Sequence, residues 1–381
     1  MDYAATTPVD PRVVEAMQPY WTEYFGNSAS IHGYGRDAAK GLEAARGEVA
    51  EVLDCHPSEI VFTANGTEGC NLAIRGVAQA ARAAGLGNHI VTSPIEHHAV
   101  SHTVEQLCES YGFEMTVVGV DETGLVDPDD VARALRDDTA LISVIYASNE
   151  VGTVQPVAQI AELARSRDIP FHTDGVQSGG KLDLDVKRLG VDLLTLSAHK
   201  FYGPKGAGAL YLRRGTVLLP ALTGGGHERG HRPGTVNVAG NVGLAKALQL
   251  AEADRPSETA RLAVLRDRLI SGVLSAIPDS RLTGHETQRL ADNASFAFKG
   301  CEGEALLMAL DLVGVAASTG SACSIGDPEP SYVLTAMGLS REWALGSLRL
   351  SLGRWSTKED VDHVLAVLPD AVERTRGLGI P

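Results

Sequence analysis

Cysteine is scarce. There are five, at positions 55, 70, 108, 301 and 323. The number is odd and no C-x-x-C occurs, which excludes a disulfide framework and a cysteine-rich zinc site. Reduced thiols point to the cytosol. Long apolar runs are also missing, since none approaches the ~20 residues of a membrane span. The N-terminus, MDYAATTPVD, has neither a basic segment nor an apolar stretch, so it does not read as a signal peptide. Basic charge is in deficit: 33 Lys and Arg face 48 Asp and Glu, a formal charge of −15. That argues against nonspecific attachment to nucleic acid or to an anionic membrane. No internal repeat or low-complexity tract is present. What remains is ample. The chain has 381 residues, 44% hydrophobic and 21% charged, enough for a sizeable core and too apolar for disorder. At ~150 residues per domain, it suggests two or three compact units or one large α/β unit with an appendage. The 41 glycines point to many tight turns or close backbone approaches.

Short apolar runs alternate with helical stretches. The runs are 59–63 (EIVFT), 89–93 (HIVTS), 114–118 (EMTVV), 140–147 (ALISVIYA), 169–173 (IPFHT), 192–197 (DLLTLS) and 209–212 (ALYL). They are short and apolar on both faces, as buried parallel strands are. Residues 67–84 and 157–167 keep apolar side chains at helical spacing, among them Leu72, Val77, Ile160 and Leu163. Such alternation predicts a doubly wound α/β sheet with helices on both faces. The pattern changes at 252–257 (EADRPS), where a boundary is placed near residue 255, followed by a long helix over 258–276 and a smaller C-terminal unit. The first ten residues are expected to be extended and to pack on either unit.

In an open parallel sheet, ligands bind beyond the carboxyl ends of the strands. The runs are followed there by Asn65-Gly66-Thr67, Glu96-His97-His98, Ser148-Asn149-Glu150, Asp174-Gly175-Val176-Gln177 and His199-Lys200. Five strand ends thus deliver polar and titratable groups to one edge. Asp174 and Lys200 close adjacent runs, and a buried Lys or Asp needs a partner. They make either a structural ion pair or a cofactor-linked lysine with an acid for a pyridinium nitrogen, the arrangement that holds pyridoxal phosphate (PLP). Both readings stay open on these two residues alone. Gly66 and Thr67 begin a helix, whose free amides suit a phosphate, although Thr67 is equally explained as an N-cap. Ser197 and His199 flank Lys200 and can donate to the same phosphate. His97 can stack on an aromatic ring.

Some patterns mislead. His227-Glu228-Arg229-Gly230-His231 spells H-E-x-x-H, but the surrounding glycines and Pro233 oppose the helix that a zinc site of this kind needs. His98 and His102 are four apart with no evident third ligand. Residues 203–208 (GPKGAG) are glycine-rich but not a P-loop, and read as a turn before ALYL. Cys323 differs from the other cysteines. It lies in a run of small residues ahead of Pro328 and Pro330, as in a surface loop. An exposed thiol there suggests use, with a neighbouring cation or helix N-terminus needed to make it nucleophilic.

Longer stretches carry a resemblance. They are DYAATTPVDPRV (2–13), FGNSASIH (25–32), GTEGCNLAIRG (66–76), EHHAV (96–100), SNEVGTVQP (148–156), HTDGVQSGGK (172–181), SAHKFYGPKGAGAL (197–210), GGGHERGHRPGT (224–235), STGSACS (318–324) and LRLSLGR (348–354). Through them the chain resembles, nearly end to end, the NifS/IscS-type cysteine desulfurases of the class V aminotransferase group. The resemblance implies PLP fold-type I. That means a mostly parallel seven-stranded sheet with helices on both faces (11–254), and a smaller α+β domain made of 1–10 and 255–381 that carries the cysteine loop at about 318–331. It implies PLP linked to Lys200, with Asp174 on the pyridine nitrogen, Gln177 on the phenolic oxygen and His97 on the ring, where it also exchanges protons. Gly66, Thr67, Ser197 and His199 would hold the phosphate, with Thr235 reaching the phosphate of the other subunit of a homodimer. Arg349 would clamp the substrate carboxylate beside Asn149. Cys323 would take sulfur from L-cysteine, leaving L-alanine, and pass it to an acceptor protein in iron–sulfur cluster assembly or thiolation of tRNA or another acceptor. A cytoplasmic enzyme without direct nucleic-acid or membrane partners is expected. A selenocysteine lyase or another class V PLP enzyme is the alternative, and a non-catalytic assembly partner the third. The chain departs from its relatives in a short start, in His227 where Gln is usual, and in an early C-terminus, a region with which IscS-type relatives dock an iron–sulfur scaffold.

Overall fold

The computed structural model describes residues 1–320 and 329–376. Seven strands form the main sheet: β1 (Ile60–Thr63), β2 (His89–Thr92), β3 (Glu114–Val117), β4 (Thr139–Ser143), β5 (Phe171–Asp174), β6 (Leu193–Ser197) and β7 (Gly208–Leu212). Their order is β1-β7-β6-β5-β4-β2-β3. Five of them, β3, β2, β4, β5 and β6, pair in parallel. Only β7 runs against its neighbours, because the short connection from β6 makes a turn rather than a crossover. The expected alternation is therefore present. One expectation fails at the edge: β3 is largely exposed, since it is the last strand of the sheet and has a neighbour on one side only. The run over 140–147 also stops being a strand at Ser143. Its continuation still pairs, with Val144 and Tyr146 donating to the carbonyls of His172 and Asp174 (3.2 and 3.0 Å), which carries Ser148 and Asn149 to the sheet edge.

The helix Gly66–Ala83 buries Leu72, Ile74 and Val77 against the sheet. Asn65 caps it, accepting from the Glu68 amide, so Thr67 is not the cap but part of the first turn. On the opposite face, Val157–Ser166 and Gly33–Leu53 cover the second half of the core.

A second sheet holds β8 (Ser280–Leu282), β9 (Asn293–Phe298) and β10 (Ser347–Ser351), antiparallel in the order β10-β9-β8. Phe296, Phe298, Leu348 and Leu350 form its core with the helices Gly303–Asp311 and Lys358–Arg376. The two cores share one helix. Residues Val238–Ala276 are continuous, where the sequence had suggested a break near 255. Leu244 and Leu248 enter the first core, Leu269 and Val273 the second. Pro256 removes one helical hydrogen bond, but Arg255 pairs with Glu252 and Ser257 Oγ donates to the Asp254 carbonyl, so the helix passes through. The N-terminal segment ties the layers together. Ala4 N–H donates to Ser351 Oγ (2.8 Å) and Thr7 N–H to the His199 carbonyl (2.9 Å). Among the described residues, no helix is long and apolar enough to cross a membrane.

Candidate active site

A cavity of about 240 Å³ opens at the carboxyl ends of the main strands. Gly66, Thr67, His97, Asn149, Asp174, Gln177, Ser197, His199 and Lys200 line it, joined by Arg349 from the second sheet and by Ala4 and Ala5. A larger groove, about 680 Å³, lies at the opposite strand ends beside Thr139 and Asp192. It gathers none of these groups, so the site is placed by convergence of chemistry rather than by size.

Lys200 sits in the tight turn that follows β6. Its Nζ donates to the carbonyls of Ala4 (2.6 Å) and Ala5 (2.8 Å). Among the described residues it has no carboxylate partner within ion-pair distance, which removes the reading of Lys200 and Asp174 as a structural ion pair. Burial, then the positive charges of Lys181 and Arg349, pull its amine down to about 8. Asp174 ends β5. Burial raises its carboxyl, against the pull of the Val176 N–H on Oδ1 (2.9 Å) and of His97 and Lys200. His97 accepts the Ala99 amide on Nδ1 (3.0 Å) as the cap of the helix His98–Tyr111, which places the proton of the neutral ring on Nε2. Gln177 Nε2 donates to the Ala4 carbonyl (3.0 Å). His199 meets Thr6 Oγ1 (3.1 Å) and is brought down to about 4 by burial and by Lys200 and Lys205, so it stays neutral.

These residues fit PLP. The first amides of the helix Gly66–Ala83 have no intrahelical acceptor and form an anion seat. A Cβ at Gly66 would lie 2.6 Å from Val176 Cγ2 and 3.3 Å from Ser197 Cβ, so the close approach there demands glycine. Beside it stand a largely buried amine and a buried carboxyl. The substrate side is marked by orphans. Arg349 gives one NH to the Asn149 carbonyl (2.7 Å) and the other to Asp2 Oδ1 (3.0 Å), while its buried Nε–H has no acceptor among the described residues. Asn149 Oδ1 is buried with no donor among the described residues. An amino acid's carboxylate would satisfy the first.

Thr235 is exposed and does not line this cavity. Cys323 lies outside the described residues. The H-E-x-x-H run is a short 3-10 turn at Glu228–Gly230, and Glu228 faces inward to Arg46 (2.7 Å) and the Phe62 amide (2.8 Å). His98 and His102 stack on each other at 4.4 Å. Among the described residues, no group of three His, Cys, Asp or Glu could hold a metal ion. Cys55, Cys70, Cys108 and Cys301 all have thiols raised by burial. Sequence reasoning missed the Ala4 and Ala5 carbonyls on Lys200, Asp2 on Arg349, and Lys181. The carbonyls carry no side-chain signal at all. Lys181 had a weak one, as a lysine one helical turn beyond Gln177.

The profile of the aminotransferase class-V family matches residues 1–364. The cysteine desulfurase IscS of Methanosarcina thermophila is 52% identical over 378 residues, covering 99% of this chain and 93% of the relative. That of Clostridium botulinum (strain Hall) is 47% identical, with 99% and 94% covered. Among solved structures, a NifS-like protein superposes with a TM-score of 0.91 at 36% identity over 98% of both chains. SspA in complex with cysteine gives 0.81 at 37% identity over 93% of this chain and 99% of that one.

Proposed function

The chain belongs to the class-V aminotransferase family, as a NifS/IscS-type cysteine desulfurase, and from that premise we propose how its own residues carry the reaction. L-Cysteine and an enzyme thiol become L-alanine and an enzyme persulfide. The substrate Cβ–S bond breaks, an S–S bond forms, and a proton returns to the substrate carbon. PLP, when bound, supplies the electron sink that makes the substrate's Cα–H acidic. Asp174 holds a proton or a hydrogen bond at the pyridine nitrogen, and the low-dielectric pocket strengthens that contact. Gly66, Thr67, Ser197 and His199 seat the phosphate, with His199 neutral and able to donate. Gln177 would serve the phenolic oxygen, and His97 would lie against the ring. Arg349 and Asn149 orient the substrate by its carboxylate. Lys200, with its depressed pKa, moves the Cα proton at neutral pH. Cys323 is the nucleophile toward the substrate sulfur and the carrier afterwards.

We assign residues 11–254 to the cofactor domain, and 1–10 with 255–381 to the smaller one. A homodimer supplies Thr235 to the phosphate of the neighbouring copy, which fits its distance from its own cavity. An acceptor protein in the cytoplasm takes the sulfur. The observation that carries this reading is the meeting of Lys200, Asp174, a helix N-terminus and the unsatisfied Arg349 in one cavity. Incubating the PLP-loaded enzyme with L-cysteine should yield alanine and a Cys323 persulfide, visible by mass after alkylation. Cys323→Ala should keep the substrate-induced change in the cofactor's visible spectrum and lose the persulfide. Equal sulfide and alanine output from that variant would defeat the assignment.

A further inference from the structure

Glu150 is buried and takes no part in the steps above. It follows Asn149 directly, and its carbonyl is held by Asn293 Nδ2 (3.1 Å). Its carboxyl accepts a hydrogen bond from Ser331 Oγ (2.5 Å). The same carboxyl lies so close to Gly320 that a Cβ at 320 would overlap Cδ and both oxygens. Residues 320 and 331 stand on either side of the segment that carries Cys323. One side chain therefore touches the chain just before that segment and just after it.

Both contacts rest on fixed ground. Gly320 N–H donates to Ser347 Oγ (3.3 Å) in β10, two residues from Arg349. Ser331 caps the helix Tyr332–Ala336, accepting from the Leu334 amide (3.1 Å). Val333, Leu334 and Met337 pack on Ile95, Ile145 and Val151, and Tyr332 Oη donates to the Glu96 carbonyl (2.7 Å). Among the described residues no cation pairs with this carboxyl, and a buried carboxyl without a salt bridge is expensive. An apolar residue of similar size would pack the site at lower desolvation cost but could not accept from Ser331. Burial lifts the group to about 7, against Ser331 and the charge of Arg349.

We propose that Glu150 is a positioning residue for the sulfur-transfer step, fixing the spacing between the substrate-carboxylate seat at Asn149 and Arg349 and the chain that enters and leaves the Cys323 segment. The proposal rests on the desulfurase reading. It predicts a separation that a general structural role would not produce. In PLP-loaded Glu150→Ala, L-cysteine should still change the cofactor spectrum with an unchanged half-saturating concentration. Single-turnover persulfide formation on Cys323 should fall about ten-fold, the scale of losing one hydrogen bond to a charged group. Ser331→Ala should move the same way. Glu150→Gln, whose amide oxygen still accepts from Ser331, should recover most of the rate. Gly320→Ala presses on the carboxyl from the other side and gives the same slowing with residue 150 left as glutamate, which keeps the test intact if Glu150→Ala folds poorly.

Persulfide formation at the native rate in either Glu150→Ala or Gly320→Ala overturns the proposal. So does loss of the spectral response to L-cysteine in step with the persulfide, because the residue would then act on the cofactor or the fold. Failure of the unsubstituted enzyme to place persulfide on Cys323 would overturn the desulfurase reading and the proposal with it, and is told apart by appearing without any substitution.

Discussion

Lys200 is an amine held where its charge is disfavoured. Burial and two neighbouring cations leave it at about 8, against 10.5 for an ordinary lysine. The two carbonyls of Ala4 and Ala5 hold its Nζ without neutralising it. Between those pH values the unfolded chain binds the proton that the folded chain has lost, so raising pH stabilises the cofactor-free fold in that window. Below about 8 both states are protonated and the penalty is present in full. The same shift makes the amine nucleophilic early. Covalent capture of PLP by the cofactor-free protein, trapped with borohydride and counted by mass spectrometry, should climb through about pH 8 and level well before 10.5. A rate that keeps rising to 10.5 would mean that the pocket leaves Lys200 unperturbed. Lys200→Ala should trap nothing at this position at any pH.

Between elements, one buried ion pair does what the misleading zinc-like run does not. Arg46, from the helix Gly33–Leu53, meets Glu228 with both side chains almost wholly buried, and also donates to the Ile60 carbonyl of β1 (2.8 Å). Glu228 in turn accepts the Phe62 amide. The glycine-rich turn is thereby pinned to an edge strand and a long helix. Glu228→Ala leaves a buried guanidinium without its counter-charge, and should cost about 3–5 kcal/mol, read as a lower denaturation midpoint. Chelators should change nothing in either protein, and metal-dependent stability would contradict this account. The run was legible as a decoy because its glycines forbid a helix, but its inward glutamate was not, since the partner lies 182 residues away. The same divide runs through the molecule. Strand positions and the titratable groups at their ends follow from local apolar patterning, which is why Asp174 and Lys200 could be placed. The exposure of β3 depends on its place in the strand order, and the continuity of Val238–Ala276 depends on tertiary contacts that outweigh Pro256. Asp2 on Arg349 joins residues 347 apart in the chain, and no periodicity records that.

At the scale of the whole molecule, the cavity lies between the two cores, closed by strand ends from one, Arg349 from the other, and the N-terminal segment across both. Two things in the single chain fall outside this scheme. Thr235 is exposed, and a run of large apolar side chains faces solvent: Trp21 and Phe25 at 61%, Ile31 at 92% and Tyr34 at 60%. Phe25 and Tyr34 lie against each other with ring centroids 5.3 Å apart, tilted by 31°, and so present one surface, and exposed apolar patches of this kind mark contact sites. The homodimer proposed above would account for both observations. The enzyme should then sediment as a dimer, and Phe25→Glu with Ile31→Glu should yield monomers that hold PLP more weakly. Complementation makes the point sharper. Thr235→Ala alone should weaken PLP retention about ten-fold, the loss of one hydrogen bond to a phosphate, and Lys200→Ala should abolish covalent attachment. In a mixed dimer of the two variants, one cavity has native Lys200 from the first chain and native Thr235 from the second, while the other cavity has neither. In the isolated mixed dimer, tight, covalent PLP should therefore return to one site of the two, counted by borohydride trapping after dialysis. If Thr235 served the cavity of its own chain, no site in the mixture would be whole, and retention would stay at the level of the Thr235→Ala protein.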